Sequence, residues 1–129
     1  EVTENSLMSD VEKASGILAA LREAGISALL DDFGSGYSSL AYLVRLPIDT
    51  LKIDQSFVWA LGKVPTATAV TRGVVRLAHS LGMRTLAEGV ETEAQRQMLI
   101  EEGCDAMQGF LFSRALPASA FAALLREGP

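Results

Sequence analysis

The sequence predicts an α/β fold with parallel strands, about four βα units long, which is half of an eight-stranded (β/α)8 barrel. Short apolar runs alternate with segments of helical periodicity, the pattern of a parallel sheet whose crossovers are helices. A local arrangement also recurs, as "REAGISALLDD", "HSLGMRTLAE" and "IEEGCDAMQ": a helix end, a glycine, a short strand, and a polar residue where the strand finishes. A complete barrel of this kind takes roughly 250 residues, and this chain has 129.

Element by element, Ser9 and Glu12 form a capping-box pattern. Val11, Ala14, Leu18 and Leu21 follow at helical spacing, and Gly25 supplies the stop. The apolar run Ile26–Leu30 reads as a buried strand ending at Asp31. Ser38 or Ser39 can cap a short helix over Leu40–Arg45, which Pro47 terminates. "DTLKID" is the next strand, with Leu51 and Ile53 on one face and Lys52 and Asp54 on the other. "FVWALGKVPTA" is a connection whose form the pattern does not define. A long helix then places Val70, Val74, Leu77, Ala78 and Leu81 in phase, with Gly82 as its stop. The strand "MRTLAEG" leads to a helix opened by a capping box, Thr92 with Gln95, and closed by Gly103. "CDAMQGF" is the last strand, and "ASAFAALLRE" a terminal helix.

Composition narrows the functional classes. The chain is 49% hydrophobic and 21% charged, enough to bury an aliphatic core. No apolar stretch is long enough to span a bilayer and no signal peptide is visible. The lone Cys104 excludes an internal disulfide and fits a reducing, cytoplasmic compartment. A net charge of −5 without a Lys/Arg cluster argues against DNA or RNA as a partner. The chain opens on Glu1 rather than on methionine, as a segment of a longer protein would.

In parallel α/β folds the carboxyl ends of the strands share one edge, where sites are built. Asp31, Asp32, Lys52, Glu88 and Gln108 are therefore expected to converge. Adjacent aspartates repel, and one resists ionising unless a cation relieves the pair. Gathered carboxylates suit hard divalent cations, Mg²⁺ or Mn²⁺, and two such ions can drive an in-line phosphodiester displacement. Lys52 can orient water or neutralise phosphate, and Gln108 can hydrogen-bond without adding charge. Simpler readings stay open: Asp31–Asp32 as a solvated loop, Lys52 as a surface lysine, Glu88 and Glu91 as acids favoured at the helix start near Thr92. His79 reads as a solvent-facing residue late in its helix, and Cys104 as a small buried apolar residue. Gly34 and Gly36 match only the first part of a dinucleotide fingerprint, with Ser39 in its third glycine position.

"DDFGSGYSSLAYLVRLPIDTLKIDQSFV", "AEGVET" and "GCDAMQGFLFSRALP" together resemble the EAL domain, the bacterial cyclic di-GMP phosphodiesterase. The match runs from Glu1 to about Pro117 and implies the C-terminal half of a TIM-like barrel, with residues 1–129 forming a partial EAL domain. The resemblance implies hydrolysis of cyclic di-GMP to linear pGpG with two Mg²⁺ or Mn²⁺ ions. By position, Glu1 and Asp31 would bind the first metal, and Asp31, Asp32 and Glu88 the second. Lys52 would contact the nucleophilic water, assisted by Gln108. Glu4 would brace the loop Phe33–Ser39, which contains Gly34 and Gly36, and Glu91 would support the site from behind. The family's Glu-Ala-Leu stretch and a metal-binding asparagine would precede Glu1, so this chain alone is expected to lack a complete site. A homodimer through the EAL domain, and an upstream sensory or GGDEF domain or membrane anchor in the parent, are further expectations. A degenerate EAL domain that binds cyclic di-GMP as a receptor is the alternative.

Overall fold

A computed structural model describes residues 1–3, 6–7, 9–33 and 40–127. Five parallel strands form one sheet in chain order: β1 (Val2–Thr3), β2 (Leu29–Phe33), β3 (Thr50–Ile53), β4 (Arg84–Ala87) and β5 (Ala106–Met107). Among the described residues, helices with defined bounds connect or follow them: α1 (Val11–Glu23), α2 (Leu40–Leu43), α3 (Gln55–Ala60), α4 (Pro65–Ser80), α5 (Glu93–Glu101) and α6 (Ala118–Glu127). The expected order of units is present, with β1 as one edge of the sheet and β5 as the other.

Several boundaries differ from the sequence reading. Asp10, rather than Ser9, caps α1: its carboxylate accepts the Lys13 amide at 3.1 Å, while the Ser9 hydroxyl donates to the Ser6 carbonyl. A carboxylate also complements the helix dipole, which a hydroxyl does not. β2 begins at Leu29 instead of Ile26, and Ile26 is half exposed. Ala28 explains the shift: its carbonyl accepts from the amides of Asp49 and Thr50, so the ladder with β3 starts only there. The helix expected over Leu40–Arg45 is the single turn of α2, Leu40–Leu43. Its expected caps, Ser38 and Ser39, lie outside the described residues.

Leu51, Lys52 and Ile53 are all buried, because a central parallel strand is covered on both faces. Two apolar clusters flank it. Leu18, Leu30, Leu51 and Met83 belong to one; Ile53, Val58, Val75 and Leu99 belong to the other. The buried face of α4 runs through Ala67, Thr71, Val75 and Ala78, so Val70 is turned outward.

The amino ends of the strands are clasped twice in the same way. Asp49, just before β3, accepts the Ala28 amide at 2.8 Å and Arg22 Nη2 at 2.7 Å. Asp105, just before β5, accepts the Thr85 amide at 2.7 Å and pairs with His79 Nε2 at 2.9 Å. The Ala28 amide and Arg22 hold Asp49 below the usual carboxylate range. Burial pushes Asp105 up, but His79 and the Thr85 amide and hydroxyl outweigh it and hold this carboxyl low as well. Groups with depressed folded pKa values add stability above their unfolded values of about 3.9, and that stability is lost as pH falls through the folded values. Thermal midpoints followed by circular dichroism are therefore expected to hold from neutral pH to about pH 5 and to fall below about pH 4. Asp49→Asn with Asp105→Asn should start lower, by about 1–3 kcal/mol per site, and fall less steeply. An acid limb unchanged in the double variant would contradict this.

Candidate functional site

Asp31, Lys52 and Glu88 meet at the carboxyl edge of the sheet, with Lys52 at the centre and Glu1 within reach of it. Its ammonium lies 2.6 Å from Glu88 Oε2, 3.3 Å from Asp31 Oδ2 and 3.5 Å from Glu1 Oε2. These residues are separated by up to 87 positions in the chain, yet adjacent parallel strands bring their ends together. β3 carries Lys52, its neighbour β2 carries Asp31, and Glu88 directly follows β4, its amide extending the ladder to Ile53 O at 3.1 Å. Lys52 is nearly buried, with 7% of its side chain exposed, whereas the carboxylates keep 25–55% of theirs. Burial disfavours the ammonium, but the Glu88 hydrogen bond and the charges of Glu88 and Asp31 more than compensate, so its pKa is raised. A surface-lysine reading is thereby excluded.

β2 and β3 slip in register between Leu30 and Phe33, so an extra residue of β2 falls where Asp31 and Asp32 lie. Bulges of this kind recur beside active sites. The Asp32 side chain, Glu4, Gly34 and Gly36 lie outside the described residues.

Glu88 and Glu91 do not cap α5. Thr92 does so, accepting the Gln95 amide at 3.2 Å, while the Gln95 side chain accepts the Glu91 and Thr92 amides at 2.9 Å. Glu88 is thus available to Lys52. Gln108 is fixed through its backbone, which donates to Ala87 O at 2.9 Å and accepts from Val90 N at 3.0 Å. It lines a cleft of about 470 Å³ together with Glu88, Glu91, Gln55, Trp59 and Phe110.

The cleft-lining Gln55, Trp59 and Phe110 were not legible as site residues. The available signal was Asp54, whose carboxylate caps α3 by accepting the Ser56 amide at 2.8 Å. An Asp at a strand end is a preferred helix N-cap, and α3 carries both Gln55 and Trp59 to the rim. His79 pairs with Asp105 at the opposite end of the strands. Cys104 is partly buried against the second apolar cluster; burial pushes its thiol pKa up, and it donates to Ala106 O at 3.2 Å.

Among the described residues, no three His, Cys, Asp or Glu side chains group tightly enough to hold a metal by themselves. The donor chemistry nevertheless fits a hard cation. Oxygen donors from three carboxylates already share one positive charge, the Lys52 ammonium, and three carboxylates against one ammonium leave two negative charges.

Comparison with known proteins supplies the family. The chain is 44% identical to the cyclic di-GMP phosphodiesterase NbdA of Pseudomonas aeruginosa over 98% of its length, and covers 16% of that protein. It superposes on the PaMucR phosphodiesterase in its c-di-GMP complex with a TM-score of 0.87 and 43% identity, covering 93% of this chain and 49% of that one. The manganese/cy-diGMP complex of Klebsiella pneumoniae BlrP1 gives 0.79 and 40%, covering 88% and 29%. The five-stranded sheet is consistent with part of such a domain's barrel, and no helix among the described residues is long and apolar enough to cross a membrane. The EAL domain model matches residues 1–115, and the chain belongs to the EAL-domain family.

Proposed function

We propose that the protein containing this chain hydrolyses cyclic di-GMP to linear pGpG, and that residues 1–129 supply the C-terminal half of its EAL barrel. The observation that carries this reading is the buried Lys52 ammonium held among Glu1, Asp31 and Glu88 at the strand ends. Such a cluster is costly to fold for structure alone, since desolvating charges offsets much of their attraction. The net negative site would accept Mg²⁺ or Mn²⁺, two ions in the intact domain, through Glu1, Asp31, Asp32 and Glu88. Divalent cations so bound supply a nucleophile near neutral pH and stabilise the charge of the displaced oxygen.

The remaining work falls to the chain's own groups. Lys52, kept charged by its neighbours, holds the attacking water and faces the phosphodiester. Gln108 orients the ligand from the floor of the cleft, and Glu91 holds the turn after β4. Glu4 braces the loop following β2, which carries Gly34 and Gly36 and leads to a homodimer contact. The rest of the barrel, and any sensory or GGDEF domain, lies in the parent protein, which we place in the cytoplasm or at its membrane face.

Chromatographic detection of pGpG tests the reading. The intact protein should form it only with Mg²⁺ or Mn²⁺, and Asp31→Asn should abolish it. Tight binding of cyclic di-GMP without any pGpG would instead identify a receptor.

A further inference from the structure

We propose that Trp59 is a specificity-determining residue that stacks against one guanine base of the cyclic dinucleotide, in the cleft beside Glu88. This rests on the reading of the site as a cyclic di-GMP phosphodiesterase. Glu88 belongs both to the Lys52 cluster and to the cleft, so a ligand whose phosphate reaches the cluster has its base at the cleft. The cleft, about 470 Å³, is of ordinary small-ligand size.

Trp59 is 42% exposed, although it sits on α3 between two anchors, Val58 and Leu61, that are almost fully buried. The helix is therefore fixed while its indole is left at the cleft wall. Gly89 sets that position. A Cβ there would lie 2.7 Å from Gln55 Cβ and 3.3 Å from Trp59 Nε1, so only a glycine lets α3 approach so closely. Its φ of +77° also favours glycine. Phe110, 57% exposed, adds a second aromatic wall, with the Arg114 guanidinium 4.3 Å from its ring centre. The amides of Gln55 and Gln108 offer both donors and acceptors, as a purine edge requires. The lining is acidic around Glu88 and Glu91, which disfavours a polyanionic strand and favours a neutral base.

Stacking on one aromatic changes affinity by about 5- to 100-fold on truncation to alanine. In the full-length protein, Trp59→Ala should raise KM and the dissociation constant for cyclic di-GMP by that factor, with a much smaller change in kcat. Trp59→Phe should restore most of the loss. Trp59 is this chain's one tryptophan, so the fluorescence lost between wild type and Trp59→Phe reports on it. Cyclic di-GMP should quench that component. Normal turnover with an unchanged KM in Trp59→Ala and no Trp59 quenching would overturn the assignment while leaving the proposed activity standing. So would a fall in thermal midpoint and kcat with KM constant, the mark of a purely structural wall. If the wild-type protein neither binds nor cleaves cyclic di-GMP, the reading of the site fails, and this assignment with it.

Discussion

Lys52→Met in the full-length protein is expected to lower the rate of cyclic di-GMP cleavage by about 10²–10⁴-fold, the usual contribution of a positioned proton-transfer or water-holding group. That corresponds to about 3–5 kcal/mol of transition-state stabilisation. Methionine roughly preserves the stem, so the loss reports on the ammonium. Without it, Glu1, Asp31 and Glu88 face one another with no shared cation. Their 25–55% exposure lets water screen the repulsion, so the folding cost should be modest, about 1 kcal/mol, and much smaller than the catalytic one. Steady-state kinetics alongside thermal denaturation separates the two. The raised pKa of Lys52 adds a pH constraint in the metal-free protein. A group raised above its unfolded value contributes stability that is complete below about pH 10 and lost only as pH climbs through the folded value. No alkaline loss of stability between pH 7 and about pH 10 should trace to Lys52. Full activity in Lys52→Met would remove it from the chemistry.

Among the described glycines, Gly109→Ala should be the most destabilising single methyl. A Cβ there would lie 2.2 Å from the Val90 carbonyl oxygen, 2.3 Å from its nitrogen and 2.7 Å from its carbonyl carbon. Backbone atoms cannot rotate aside as a side chain can. The segment is also pinned, because Val90 accepts the Leu111 amide and donates to Gln108 O, each at 3.0 Å. Relief of the clash must break those bonds and displace Gln108 from the cleft. The expected loss is at least about 3 kcal/mol, a drop of roughly 10 °C or more in thermal midpoint. Gly16→Ala in α1 is the contrast. Nothing lies within 4 Å of its Cβ position, so alanine's helix propensity should make it neutral or stabilising by up to about 1 kcal/mol. Equal melting of the two variants would contradict the packing described around Val90.

The units were legible because glycine stops and polar strand ends are local signals. Gly25, Gly82 and Gly103 all adopt positive φ after their helices, as helix-ending glycines do. The Thr92–Gln95 capping box was readable for the same reason. The meeting of Asp31, Lys52 and Glu88 followed from topology: parallel strands put their carboxyl ends on one edge, however distant they are in the chain. Glu1 came from family resemblance alone, because a two-residue β1 carries no periodicity. What failed was non-local. Alternation along "DTLKID" cannot reveal that β3 is covered on both faces, so the burial of Lys52 was not legible. Ile26 is apolar enough for a strand, but Asp49, more than twenty residues on, decides where the β2–β3 ladder begins. Trp59 lies in a segment whose form the pattern does not define, and only the fold brings α3 and the segments after β4 and β5 together as a cleft around it.

The central claim is that carboxylates scattered along the chain form one cation-accepting site around Lys52. An anomalous difference map from crystals of the intact domain grown with Mn²⁺ and cyclic di-GMP tests it most directly. The account predicts manganese peaks within coordination distance of Asp31 and Glu88 oxygens, with Lys52 Nζ turned toward the phosphodiester. Manganese bound elsewhere, with Lys52 still paired to Asp31 and Glu88, would contradict it.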